Sequence, residues 1–127
     1  MTTVLIIDDE YLIADILSYA LEDEGYLTVK AGSGQKALDI LNRESPELII
    51  TDYMMPGMNG IELAEAVRRR PGMEMTPMIL MSGAQAHLGK ARPDLFFNVF
   101  EKPFDIDEVV DAVKRRLATS PATDNPA

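Results

Sequence analysis

Hydrophobic positions along the chain alternate between two patterns. Residues 4–7 (Val4, Leu5, Ile6, Ile7), 48–51 (Leu48, Ile49, Ile50, Thr51) and 78–81 (Met78, Ile79, Leu80, Met81) are short runs in which almost every side chain is apolar. Such runs suit strands covered on both faces, as in a parallel sheet. Residues 27–31 and 96–101 are weaker runs and predict two further strands. Between the runs the apolar spacing becomes helical. Leu12, Ile13, Ile16, Leu17, Ala20 and Leu21 predict a helix over 11–24, with Gly25 as its stop. Ala37, Leu38 and Leu41 predict one over 35–42, and Leu63, Ala64 and Val67 one over 61–70. Val109, Val110, Val113 and Leu117 give a last helix over 106–117 an inward face, with Asp105 as its cap and Glu108 three residues on.

Strands alternating with helices in this order predict an α/β domain, a parallel sheet with helices on both faces. The chain has 127 residues, which is the size of one domain with one core. That domain is expected over 1–118. Residues 119–127 contain two prolines and no apolar period, and are expected to be a disordered tail.

Composition narrows the chemistry. There is no Cys and one His, His87, so disulfide scaffolds, thiolate sites, multi-histidine metal sites and a Ser-His-Asp triad are excluded or very poorly served. The formal net charge is −9, and residues 1–25 carry seven acids without a Lys or Arg. Direct nucleic-acid binding needs clustered base and is not expected. Arg68, Arg69 and Arg70 are read as complementing the dipole of the helix they end. No apolar run is long enough to span a membrane, so a cytoplasmic protein is expected.

The reactive residue types stand where strands end. Asp8 and Asp9 follow the first strand, Asp52 the third, Ser82 the fourth and Lys102 the fifth. In an open parallel sheet, ligands bind at the carboxyl ends of the strands. Three carboxylates crowded there call for a cation, either the lysine or a hard divalent ion, Mg²⁺ or Mn²⁺. An ammonium, a hydroxyl, a metal and a central carboxylate together are what phosphoryl transfer to an aspartate requires.

These blocks resemble the signatures of the response-regulator receiver domain of two-component signalling: residues 4–10 ending in Asp8, Asp9 and Glu10, residues 52–60, residues 81–83 and Lys102-Pro103-Phe104. The resemblance spans roughly residues 3–118. It implies a flavodoxin-like fold with strand order 2-1-3-4-5. It also implies a stand-alone switch, not a classical enzyme, that accepts a phosphoryl group on Asp52 from a sensor histidine kinase or a histidine phosphotransfer protein. Asp9, Asp52 and the Met54 backbone carbonyl would hold Mg²⁺ directly, and Asp8 through water. Ser82 and Lys102 would contact the phosphoryl oxygens, and Pro103 would follow a cis bond. The output would pass through an unnamed downstream protein, and the chain would be a monomer or a weak or phosphorylation-dependent dimer.

The chain departs from the family pattern twice. Val99 occupies the place of the usual switching aromatic, and the interval from Ser82 to Lys102 is short and broken by Gly89 and Pro93, which predicts a short or irregular fourth helix. The alternative function is a small Mg²⁺-dependent phosphatase or phosphotransferase with Asp52 as nucleophile. Such enzymes carry a second acid two residues after the nucleophile, where this chain has Met54.

Overall fold

Each aliphatic run becomes a strand, and each segment of helical period becomes a helix. The computed structural model describes residues 2–118; the expected tail lies outside the described residues. The elements are β1 (Thr3–Ile7), α1 (Tyr11–Asp23), β2 (Leu27–Ala31), α2 (Gly34–Leu41), β3 (Leu48–Asp52), α3 (Gly60–Arg68), β4 (Met78–Ser82), α4 (Ala86–Lys90), β5 (Asn98–Glu101) and α5 (Ile106–Ala118). The strands pair in parallel in the order β2-β1-β3-β4-β5, the doubly wound arrangement expected from the sequence.

Side chains alternate across the sheet, and both faces are dry. Val4, Ile6, Leu48, Ile50, Ile79 and Met81 pack under α1 and α5 against Leu17, Leu21, Val109 and Val113. Leu5, Ile7, Ile49, Met78 and Leu80 pack on the other face against Ala37, Ile40, Leu63, Ala64 and Val67 of α2 and α3. Burying one such aliphatic side chain is worth roughly 1.5–3 kcal/mol, so the three inner strands anchor the domain. Residues at the ends of these strands are therefore held rigidly.

Side chains cap the starts of α2, α3 and α5. Ser33 accepts from the Lys36 N–H at the start of α2. Asn59 and Glu62 form a reciprocal capping box at α3, within a segment that reads from sequence only as a turn. Asp105 lies at the start of α5 as expected, but its carboxylate accepts from the Asp107 N–H, 2.9 Å away, rather than from Glu108.

Three sequence expectations need adjustment. The fifth strand begins at Asn98, not at residue 96, because pairing with β4 starts at the Ile79 and Asn98 register. Phe96 is buried in the turn before it, where its N–H bonds the Arg92 carbonyl. On α1, the buried face is Ala14, Leu17, Ser18 and Leu21, while Leu12, Ile16 and Tyr19 are exposed. At the end of α3, Arg68 does more than complement a dipole, since its guanidinium bonds the carbonyls of Met73 and Leu95. Burial holds its pKa below the ordinary arginine value.

The short fourth helix is α4, five residues long. Gly89 lets it lie against the sheet, because a Cβ at that position would run into Leu80 and touch Val99. Val99 joins this packing, whereas Phe100 packs on the opposite face. Phe97 is partly exposed beneath the Arg116 guanidinium, 5.5 Å from the ring centroid. Phe96 and Phe97 line one surface pocket with Val99, Gly89 and Pro93. His87 is exposed on α4.

Candidate functional site

Strand register assembles the site. Ile7 pairs with Thr51, so Asp8 and Asp52 follow side by side at the ends of β1 and β3. Asp52 pairs with Met81, one residue before Ser82. Ser82 pairs with Glu101, one residue before Lys102. The Lys102 N–H bonds the Ser82 carbonyl at 2.8 Å, and the peptide between Lys102 and Pro103 is cis.

Asp52 is buried, with 4% of its surface exposed. Its Oδ1 accepts from the Lys102 ammonium at 2.9 Å and from the Tyr53 N–H at 3.0 Å. Burial pushes the Asp52 pKa up, the lysine and the Tyr53 bond pull it down, and the Asp9 charge adds to the rise. Burial works to lower the Lys102 ammonium, but the bond and charge of Asp52 and the charges of Asp8 and Glu10 outweigh it, and its pKa rises. The lysine is thus fully charged at neutral pH.

Asp8 is 1% exposed. Its Oδ1 accepts from the Glu10 N–H at 2.9 Å, and its Oδ2 is buried without a hydrogen-bond partner. Burial raises its pKa to about 6; the Glu10 N–H and the Lys102 charge oppose the shift, and the Asp52 charge favours it. Ser82 is equally buried, and its Oγ also lacks a partner. Buried polar atoms are almost always bonded, so two orphans beside a carboxylate cluster mark a place built for a ligand.

Oxygens of Asp8, Glu10 and Asp52 lie within 4.8 Å of one another. Such a set of hard oxygen donors fits a divalent cation of the Mg²⁺ type. Asp9 is exposed and outside this trio, although its charge reaches Asp52. Met54 sits in the loop after β3 with its side chain largely exposed, while Met55 and Met58 turn into the core. Glu10 is the residue that sequence reasoning left out; a third consecutive acid was its only signal.

Gly60 brings the start of α3 against the phosphoacceptor candidate. A Cβ there would lie 2.5 Å from the Asp52 carbonyl oxygen, and the Gly60 N–H bonds the Tyr53 carbonyl at 2.8 Å. No other residue fits so close an approach to the backbone.

Comparison with known proteins agrees with this geometry. A family model described as the response regulator receiver domain matches residues 4–114. Over 117 residues the chain is 37% identical to sporulation initiation phosphotransferase F of Bacillus subtilis (strain 168), covering 90% of this chain and 92% of that protein. Among solved structures, the response regulator TrrA of Thermotoga maritima, in complex with Mg²⁺ and BeF, is similar with a TM-score of 0.79 and 30% identity, covering 91% of this chain and 98% of that one. The chemotaxis response regulator CheY4 of Vibrio cholerae is similar with a TM-score of 0.81 and 27% identity, over 91% of this chain and 98% of that one. Between the two functions read from sequence, these matches favour the receiver over the small phosphatase.

Proposed function

The chain belongs to the response regulator receiver domain family, and from that premise we propose that Asp52 takes a phosphoryl group from a phosphohistidine on a sensor kinase or phosphotransfer protein. The observation that carries the reading is the buried Asp52 carboxylate held at 2.9 Å by Lys102. Both bonds to Asp52 fall on Oδ1, which directs attack to Oδ2. The O–P bond to Asp52 forms as the donor's N–P bond breaks, and the donor imidazole keeps the electron pair. Lys102 then neutralises phosphoryl oxygens, and the unpartnered Ser82 hydroxyl donates to one of them.

Asp8, Asp9 and Asp52, with the Met54 carbonyl, are the residues assigned to Mg²⁺. When bound, the cation neutralises the carboxylates and offsets charge on the transferring group. The buried, unpartnered Asp8 Oδ2 supports this assignment. Mn²⁺, with the same preference for hard oxygen ligands, is expected to substitute.

The donor protein is assigned to α1. Leu12, Ile16 and Tyr19 are spaced at i, i+4 and i+7 and stay exposed, forming an apolar stripe on a helix that begins three residues after Asp8. A helix of a donor protein laid along this stripe would bring its phosphohistidine towards Asp52. Among the described residues no helix is long and apolar enough to cross a membrane.

Incubation with Mg²⁺ and a small acyl phosphate tests the reading. Intact mass should show one phosphoryl adduct, labile to hydroxylamine and absent from Asp52→Asn. An adduct that persists in Asp52→Asn, or no adduct at all, would overturn it.

A further inference from the structure

Glu10 is the N-cap residue of α1, yet its side chain makes no capping bond. The side chains that ordinarily accept from an N–H of the first turn are those of Ser, Thr, Asp and Asn, and the longer Glu10 side chain is not held in that role. The Glu10 carboxylate points elsewhere. Its Oε1 lies 3.6 Å from Lys102 Nζ, and one of its oxygens joins those of Asp8 and Asp52 within 4.8 Å. Asp8, in the same trio, keeps Oδ2 buried and unpartnered.

We propose that Glu10 is a further carboxylate ligand of the divalent-cation site, shared with Lys102 while the cation is absent. The inference rests on the receiver reading of Asp52. Around a Mg²⁺ ion at its usual bond length, neighbouring oxygens are about 3.0 Å apart and opposite ones about 4.2 Å, so a trio within 4.8 Å is open for a bound ion and its neighbouring pairs close by up to about 2 Å as the ion is taken. The Glu10 side chain has the freedom to do so, being 62% exposed and free of any cap. Asp9, though beside it in sequence, lies outside the trio.

The arrangement ties two events together. A Glu10 that turns to the cation releases its share of Lys102, and the ammonium is left to Asp52 and to the phosphoryl oxygens that later replace that contact. The site thereby shares its lysine between Asp52 and Glu10 before a cation arrives and leaves it to Asp52 and the incoming phosphoryl group once the cation is bound.

Calorimetric titration of Mg²⁺ and Mn²⁺ at pH 8, into the wild type, Glu10→Gln, Glu10→Asp and Asp52→Asn, tests this. Glu10→Gln should weaken binding at least fivefold without changing Tm, because no cap is lost. Glu10→Asp keeps the charge but is one methylene shorter, and it should also weaken binding at least threefold. If Glu10→Gln binds within twofold of the wild type while Asp52→Asn is impaired, Glu10 is no ligand and the receiver reading stands. If Glu10→Asp matches the wild type, Glu10 acts only as a charge at the mouth, and ligation is overturned. If the wild type binds neither ion, the inference fails together with the cation assignment on which it rests.

Discussion

Lys102 Nζ stands 2.9 Å from Asp52 Oδ1, so an ammonium placed just past the edge strand closes onto a carboxylate at the end of the central strand. Removing one partner of such a pair strands the other in a buried place. Lys102→Ala is therefore expected to cost about 1–2 kcal/mol at pH 7.5, a value reduced from that of a fully buried pair because Lys102 keeps 24% of its side chain exposed. Lys102→Ala combined with Asp52→Asn should recover most of that loss. Urea unfolding of the two single variants and the double variant measures the coupling; additive losses would mean that the contact is energetically idle.

Asp8 gives the cation-free protein an unusual pH dependence. Its folded pKa of about 6 lies above the ordinary 3.8, so the folded state carries a penalty whenever Asp8 is ionised. The penalty is absent below about pH 4, grows between 4 and 6, and is complete above 6. Asp8→Asn should therefore stabilise the cation-free protein by about 2 kcal/mol at pH 7–8, with the gain vanishing as the pH falls to 4. Cation binding needs the ionised form, so Mg²⁺ affinity of the wild type should fall about tenfold per pH unit below 6. Thermal unfolding and calorimetric titration across pH 4–8 check both signs.

Ser82 separates stability from chemistry. Its buried Oγ has no partner, so Ser82→Ala removes an unsatisfied hydroxyl and should leave stability unchanged or raise it by up to about 1 kcal/mol. The same change removes a donor to the phosphoryl group and should slow phosphorylation by a small acyl phosphate by about tenfold or more. A variant that loses stability without losing rate would assign the hydroxyl to packing.

The exposed stripe on α1 is expected to matter to protein donors alone. Ile16 is 51% exposed, so Ile16→Arg should change stability by less than about 0.5 kcal/mol. Phosphorylation by a small acyl phosphate should stay at the wild-type rate, while transfer from a phosphorylated histidine phosphotransfer protein should fall by an order of magnitude or more. Equal loss with both donors would place the effect at Asp52 rather than at docking.

Much of this was legible in the sequence because strand alternation and burial are strictly coupled here. Runs such as residues 4–7 and 78–81 are apolar throughout since both faces of the sheet are covered, and the polar residue that breaks each run marks the strand's carboxyl end. Asp8, Asp52, Ser82 and Lys102 were found for that reason. What stayed hidden depends on distance rather than pattern. The start of β5 is set by its register with Ile79, which an apolar stretch through Phe96 and Phe97 does not reveal. Leu12 and Ile16 share the helical period of the core residues but point away from the sheet. Glu10 looks like one more surface acid until α1 turns it towards Lys102. The consequence of Val99 required the Gly89 contact to be seen, because only the folded chain shows that α4 already fills that side of β5.

The division of labour between edge and interior also decides how the site fails. β1 and β3 carry the carboxylates and are flanked on both sides, whereas β5 is four residues long, paired on one side only, and leads directly to Lys102. Fraying begins at such an edge, so local opening withdraws the positive charge first and leaves the buried acids facing one another. Amide exchange along Asn98–Glu101 is thus a gauge of how well the acids are neutralised, and an ion bound among them should slow exchange in a strand that contributes no carboxylate to their cluster.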